Sequence, residues 1–264
     1  MINIITTHFG DEYYIRTLIK NLHETHLLPK NKLWIVDNSY SLKITDFNCE
    51  VITFKNSYTG SANHIFGMNN AMRKMPENNQ NKYLVLDSDV LLSKYFDWET
   101  ELDLMTGMTG ALLAMDPSSG VLSHPCFMYF SGINPSEIDF SSGHNEFGFD
   151  TGRLIGYHLS KKYNVKKLHA TKKSHVPLGF FYWEEKIFHI GSASLAYMPN
   201  RIKTDKISRV FGIHYRKYLF AQIFSKFEVT LISLLLIRVK CTVKTLRYAI
   251  QVKYPKYFGL RKLQ

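Results

Sequence analysis

Short apolar runs alternate with stretches of helical periodicity over the first ninety residues. The apolar runs lie at positions 3–9, 33–36, 51–54 and 83–86. Helical patterns occupy two of the intervals between them, at 11–25 and 60–75. The resulting order, β-α-β-β-α-β, is typical of a mainly parallel sheet covered by helices. We therefore predict a Rossmann-like α/β fold.

Each of these apolar runs ends in polar residues. Thr7 lies near the end of the first run, Asp37 and Asn56 follow the second and third, and Asp87 and Asp89 follow the fourth. In open α/β sheets ligands bind at the carboxyl ends of the strands. The sequence therefore places its candidate site at this edge of the sheet.

The pattern is less regular after position 90. Apolar runs at 111–114, 126–130 and 186–190 predict further strands, and 151–163 has a helical pattern. No internal repeat is present. We expect two parts, a catalytic domain over residues 1–200 and a tail over residues 201–264.

Charge separates the tail from the rest of the chain. The tail holds 15 of the 33 Lys and Arg residues but only two of the 22 acidic residues, which accounts for the net charge of +11. Its cations and apolar residues both recur at helical spacing, which predicts a basic amphipathic helix. The cationic set is Lys240, Lys244 and Arg247, continued by Gln251, and the apolar set is Val239, Val243, Leu246 and Ile250.

Two interpretations of this tail remain open. The apolar content is too high for a nucleic-acid arm, and the apolar run at 229–237 is far shorter than the roughly 20 residues that span a bilayer. The tail is expected to bind an anionic membrane surface, with no nucleic-acid partner. The alternative is a helix that packs on the catalytic domain and leaves its basic face in water.

Cysteine usage and the first residues bear on the compartment. Cys49, Cys126 and Cys241 are far apart, which supports neither a disulfide framework nor a cysteine zinc site. The N-terminus lacks the basic and long apolar regions of a secretion signal. We expect a cytoplasmic protein that is peripheral on the inner face of the membrane.

The triplet Asp87-Ser88-Asp89 is the clearest candidate for chemistry. Two carboxylates this close at the end of a buried strand repel one another unless a positive group lies between them. Oxygen ligands of this kind suit Mg²⁺ or Mn²⁺ shared with a diphosphate. The alternative is a helix N-cap or a loop pair.

Four segments resemble the nucleotide-sugar-dependent glycosyltransferases of the GT-A fold, most closely the family 2 type of bacterial polysaccharide and glycolipid assembly. These segments are Ile-Ile-Thr-Thr-His-Phe at 4–9, Trp-Ile-Val-Asp-Asn-Ser at 34–39, Tyr-Leu-Val-Leu-Asp-Ser-Asp at 83–89, and Phe-Met-Tyr-Phe at 127–130 with Phe-Asp-Thr-Gly-Arg-Leu at 149–154. The resemblance covers residues 2–195 and implies a metal-dependent transferase that uses a nucleoside-diphosphate sugar, with a UDP-sugar favoured.

The resemblance also implies roles for individual residues. Thr7 and Asp37 match positions that hold the nucleotide base and ribose, and Asp87 lies near the ribose and the metal. Asp89 matches the direct metal ligand, and His189 resembles a late histidine that supplies a further ligand. The segment that contains Asn56, Gly60 and Asn63 matches the one that lines the donor pocket in that family. Asp37 as a turn residue and His189 as a core histidine are the alternatives.

The implied reaction is an inverting displacement in which Asp150 is the base for an acceptor hydroxyl on a glycan or a lipid-linked acceptor. Glu184 and Glu185 are alternative bases, Asp150 as a plain N-cap is the competing interpretation, and a retaining route is implied if no base exists. The transferred group is a hexosyl or N-acetylhexosaminyl unit. Two other functions stay open, a nucleotidyltransferase and a non-catalytic membrane or nucleic-acid binding protein.

Overall fold

The computed structural model describes residues 1–39, 42–46, 48–55, 57–58, 60–75, 81–147, 151–173, 179–191, 206–227 and 229–253. The chain divides into two compact units. The first comprises residues 1–172 and 180–189, and the second comprises residues 173–179 and 190–264.

The first unit contains ten strands in the described residues. They are β1 (Ile2–His8), β2 (Lys32–Asp37), β3 (Cys49–Ile52), β4 (Lys82–Asp87), β5 (Val90–Leu92), β6 (Gly110–Met115), β7 (Ser123–Ser131), β8 (Asn164–Leu168), β9 (Phe180–Tyr182) and β10 (Ile187–His189). Seven of them form one sheet in the order β3-β2-β1-β4-β7-β6-β8. Strand β7 runs antiparallel to both its neighbours, and the other six strands run parallel to one another.

Five α-helices and one 3₁₀ turn connect these strands. They are α1 (Glu12–Glu24), α2 (Ser61–Arg73), α3 (Trp98–Thr106), the 3₁₀ turn Pro135–Glu137, α4 (His144–Phe147) and α5 (Ile155–Leu159). The Asp11 side chain caps α1 by accepting a hydrogen bond from the Tyr13 amide at 2.9 Å, which satisfies one of the free amides of the first turn.

Both faces of the large sheet are buried at its central strands. In β4, Leu84 and Leu86 belong to one apolar cluster, together with α1 and α3 residues. Tyr83 and Val85 point the other way, into a second cluster with α2 and α5 residues. Strands buried on both faces read as continuous apolar runs. The predicted α/β class with a mainly parallel, helix-covered sheet is confirmed.

A second sheet in the first unit has three strands in the order β5-β10-β9. Its register places His189 opposite Val90 and opposite Phe180. Val90 directly follows Asp89, so this pairing brings the end of β10 beside the acidic triplet.

The later part of the first unit differs in detail from the sequence pattern. The helix predicted over 151–163 is shorter, because α5 covers only Ile155–Leu159 and turns surround it. Gly152 lies in one of these turns with φ +68°, a conformation that favours glycine. Helix α3 and strand β8 have no counterpart in the pattern.

Among its described residues, the second unit contains two helices that pack on one another, α6 (Lys206–Lys226) and α7 (Leu231–Lys253). A reciprocal capping box begins α7: the Thr230 amide donates to Ser233 Oγ at 2.9 Å, and the Ser233 amide donates to Thr230 Oγ1 at 3.1 Å. The helix covers the predicted amphipathic segment. Among the described residues, no helix combines the length and the apolar character needed to cross a membrane.

Candidate functional site

Asp87, Asp89 and His189 come together through strand order. Asp87 ends β4, at the centre of the large sheet, and Asp89 lies in the turn that leads into β5. Because β10 pairs with β5, His189 at the end of β10 faces this turn. The fold thus brings all three predicted metal-site residues together from two sheets.

Short distances join these side chains. His189 Nε2 lies 3.2 Å from Asp89 Oδ1 and 3.7 Å from Asp87 Oδ2. Asp89 and His189 are each 6% exposed, and Asp87 is partly buried. Burial acts to lower the pKa of His189, but the charge and hydrogen bond of Asp89, together with the contact of Cys126, outweigh it and raise that pKa well above its usual value. The cluster is therefore a strongly polar centre in a mostly buried place.

The donor set of the cluster fits a divalent cation. One ligand atom from each of the three residues lies within 4.8 Å of the others. Two carboxylates and one imidazole suit Mn²⁺ and Mg²⁺ better than a soft cation, because oxygen ligands dominate. The residues present are thus compatible with the metal that the sequence predicts.

A second candidate ligand set adjoins the first. His124, Cys126 and His189 also offer ligand atoms within 4.8 Å of one another. Burial, together with the positive charges of His189 and Arg153, lowers the pKa of His124 to about 3. The sequence pattern indicated no metal site at Cys126, and His124 was not among the predicted site residues. The available signal was the His-x-Cys spacing, which places both side chains on one face of β7.

Thr7 is held at the end of β1 by a histidine bridge. His64, on α2, lies with its Nε2 2.9 Å from Thr7 Oγ1 and its Nδ1 3.3 Å from Thr151 Oγ1. Thr7 is also the register partner of Asp87. Through His64, the segment at Thr151 is tied to the carboxyl ends of β1 and β4.

Asp37 holds its own loop. Its Oδ1 accepts hydrogen bonds from the Ser39 amide at 2.9 Å and the Ser39 hydroxyl at 2.5 Å, and its Oδ2 accepts from the Leu42 amide at 2.8 Å. Burial acts to raise the pKa of Asp37, but these donors outweigh it and lower the pKa. These contacts correspond to the turn interpretation, and its contact with a nucleotide base stays a prediction.

The remaining predicted site residues are distributed as follows. Gly60 is the N-cap of α2, with φ +59°, and Asn63 is buried in the first turn of that helix. Asn56 and Asp150 lie outside the described residues. Their roles stay predictions.

The alternative bases lie in a different place. Glu184 and Glu185 belong to the turn between β9 and β10, at the opposite end of β10 from His189. The Glu184 carboxylate pairs with Lys186 Nζ at 2.9 Å, and its side chain is 81% exposed. The structure therefore does not bring Glu184 to the acidic cluster.

An ion pair that was not predicted from the sequence lies at the carboxyl edge of the large sheet. Asp116 follows β6, which is parallel to β4, and pairs with Arg153. The Asp116 and Arg153 side chains are only 7% and 19% exposed. Burial acts to raise the pKa of Asp116, but Ser118, Arg153 and Ser119 outweigh it and hold the pKa well below its usual range. The pair fixes the segment that follows Asp150.

No model of a protein family matches the chain, and no curated protein matches it in sequence. Among solved structures the chain is similar to the galactosyltransferase LgtC in complex with donor and acceptor sugar analogues. That match has 11% identity and a TM-score of 0.45, and it covers 63% of this chain and 73% of that one.

Two further similar structures are a mannosyltransferase and a glycosyltransferase. The mannosyltransferase PcManGT from Pyrobaculum calidifontis, in complex with GDP-Man and Mn²⁺, has 12% identity and a TM-score of 0.41 over 99% of this chain and 81% of that one. The glycosyltransferase GlyE of Streptococcus pneumoniae has 14% identity and a TM-score of 0.44 over 92% and 64%. Matches with TM-scores this low describe similarity only, and the function of the chain has to be inferred from the site itself.

Proposed function

We propose that the chain is a metal-dependent glycosyltransferase that uses a nucleoside-diphosphate sugar. The observation that carries this proposal is the cluster of Asp87, Asp89 and His189 at the carboxyl edge of a mainly parallel sheet. A diphosphate shared with a divalent cation is the ligand that such a donor set suits. A UDP-sugar is the favoured donor, with a hexosyl or N-acetylhexosaminyl unit transferred.

Strand order supports a nucleotide at this place. The chain order reverses between β1 and β4, because β2 and β3 lie on one side of β1 and β4 lies on the other. The crevice outside such a switch point is where open α/β sheets bind nucleotides. Thr7 and Asp87, which are register partners, line its two sides. A donor bound here would have its diphosphate next to the acidic cluster.

The residues of the chain divide the chemistry between them. Asp87, Asp89 and His189 would hold Mn²⁺ or Mg²⁺, which when bound supplies positive charge to stabilise the departing nucleoside diphosphate. Asp150 would accept the proton of the acceptor hydroxyl as that oxygen attacks the sugar. The contact of Thr151 with His64 supports this role, since it ties the residue after Asp150 to Thr7. The product is then the glycosylated glycan or lipid-linked acceptor, with the configuration at the anomeric carbon of the transferred sugar inverted.

A nucleotidyltransferase is less well supported. That chemistry calls for a glycine-rich phosphate loop with a cation directly after the first strand. The corresponding segment, Thr7-His8-Phe9-Gly10-Asp11, has no Lys or Arg. The sequence at this position therefore counts against a nucleotidyltransferase.

The test is the thermal stability of the full chain with nucleoside diphosphates. We expect UDP, GDP or dTDP to raise the Tm when Mn²⁺ or Mg²⁺ is present and not when a chelator is present. Asp89→Asn should abolish the metal-dependent shift. Asp97→Asn is the matched control, because Asp97 is the N-cap of α3 and asparagine caps equally well.

Cys126→Ala separates the two candidate ligand sets. If Asp87 and Asp89 hold the metal, this variant keeps the shift, because the sulfur belongs only to the second set. A shift that survives excess chelator, or one that Asp89→Asn leaves intact, would contradict the proposal.

A further inference from the structure

Helix α7 has one face that packs on α6. Leu234, Ile237, Cys241 and Thr245 recur at helical spacing and are 7%, 5%, 0% and 6% exposed. Leu219, Phe220 and Ile223 of α6 are fully buried. The two helices therefore bury an apolar seam between them.

A second apolar face lies on the opposite side of α7. At 100° per residue, Val239 points about 160° away from Ile237. The large apolar side chains of this face are 47–73% exposed, and we call them the exposed stripe: Ile232, Leu235, Leu236, Val239, Val243, Leu246 and Ile250. The stripe runs for about 27 Å along the helix, at 1.5 Å per residue. An apolar surface of this extent is typical of an interaction site.

The charges around the stripe limit what covers it. Arg238 lies on one side of the stripe, and Lys240, Lys244 and Arg247 lie towards the other. Neither α6 nor α7 contains an acidic residue. A second copy of α6 and α7 would bring cations against cations, whereas an anionic surface is complementary in charge.

We propose that the exposed stripe docks on an anionic membrane surface, with α7 lying in the plane of the headgroups. Burial of the stripe and attraction of the flanking cations are the two forces that hold such a helix at an interface. Because the opposite face of α7 packs on α6, the helix lies on the bilayer with that packed face directed away from lipid. This inference does not depend on the proposed function, since it uses no residue of the candidate site.

The test is co-sedimentation of the full chain with vesicles. Vesicles of equal parts phosphatidylglycerol and phosphatidylcholine should sediment the protein, and pure phosphatidylcholine should sediment it much less. The combined variant Val239→Gln, Val243→Gln and Leu246→Gln should weaken binding at least tenfold. Its matched control carries three glutamines at exposed apolar positions of the first unit: Leu104, Met108 and Val121. That control should bind as the unchanged protein does.

A charge variant tests the second force. Lys240→Gln combined with Arg247→Gln should lower affinity for the anionic vesicles by roughly 25-fold, at about fivefold per cation. It should also reduce the salt dependence of binding.

Three results would overturn the inference. They are no binding to anionic vesicles at low salt, equal binding by the stripe variant, and a dimer in analytical ultracentrifugation that the stripe variant abolishes. The last would assign the stripe to a second copy. Nucleotide binding by the same samples reports on the proposed function separately.

Discussion

Replacing Arg153 by methionine tests the ion pair that fixes the segment after Asp150. The substitution removes the guanidinium but keeps much of its length, and it leaves the Asp116 carboxylate buried at 7% exposure. Removing one partner of a buried pair costs about 3–5 kcal/mol. Asp116 Oδ1 still accepts from the Ser118 and Ser119 amides, each at 2.9 Å. We therefore expect the lower end, about 3 kcal/mol.

A loss of this size is easily measured. For a domain of 150–250 residues, 3 kcal/mol corresponds to a fall in Tm of about 6–12 °C. The matched control is Lys162→Met, which breaks the pair of Lys162 with Glu137 at 2.8 Å. Lys162 is 69% exposed, so the control should cost no more than about 1 kcal/mol.

The pH dependence gives a second readout. The lowered pKa of Asp116 adds stability above its unfolded value of about 3.9, and that stability is lost as the pH falls through the folded pKa. Loss of Arg153 raises the folded pKa, so the variant loses less stability in acid. The difference in Tm between the unchanged protein and the Arg153→Met variant should therefore decrease from pH 7 to about pH 3.5. A gap no larger than that of the control, or one that is constant with pH, would refute the reasoning.

Three further predictions concern packing, titration and turnover. Gly67→Ala should cost about 1–3 kcal/mol in thermal unfolding, because its Cβ would lie 2.7 Å from Val36 Cγ1; an unchanged Tm would contradict this contact. Between about pH 6.5 and pH 3 the unfolded chain binds a proton at His124 that the folded chain does not, so the free energy of unfolding decreases as the pH is lowered. His124→Asn should reduce this pH dependence of the free energy of unfolding by up to about 1.4 kcal/mol per pH unit. The same pH dependence in the variant and the unchanged protein would contradict this prediction. Asp150→Asn should keep donor binding and lower turnover by at least about 10²-fold; near-normal turnover would move the base elsewhere.

The first half of the fold could be predicted because its central strands, β1 and β4, are buried on both faces. Such strands appear in the sequence as continuous apolar runs that stop abruptly at polar residues, as at Asp37 and Asp87. Strand β7 was recognised as a strand, but its antiparallel place between β4 and β6 depends on long-range pairing that no local pattern encodes. Helix α3 is short, and Leu104 on it is 70% exposed, so its apolar periodicity is weak.

The candidate site was predictable only in part, because it also depends on long-range contacts. Asp87 and Asp89 are neighbours in sequence and mark a strand end, and His189 was identified from a resemblance. His124 and Arg153 reach the same edge of the sheet from distant segments, so their proximity depends on the fold. Along α7, the sequence shows an apolar run at 229–237 followed directly by the apolar set that begins at Val239. Only packing against α6 separates the buried Ile237 from the exposed Val239.

The release of nucleoside diphosphate from sugar nucleotides tests the central claim most directly. The full chain would be incubated with UDP-, GDP- and dTDP-sugars and a lipid-linked or glycan acceptor, with Mn²⁺ or with a chelator. Release from at least one donor should require the metal, disappear in Asp89→Asn and persist in Asp97→Asn. Release that continues at the same rate in chelator, or in Asp89→Asn, would contradict a metal-dependent transferase centred on Asp87, Asp89 and His189.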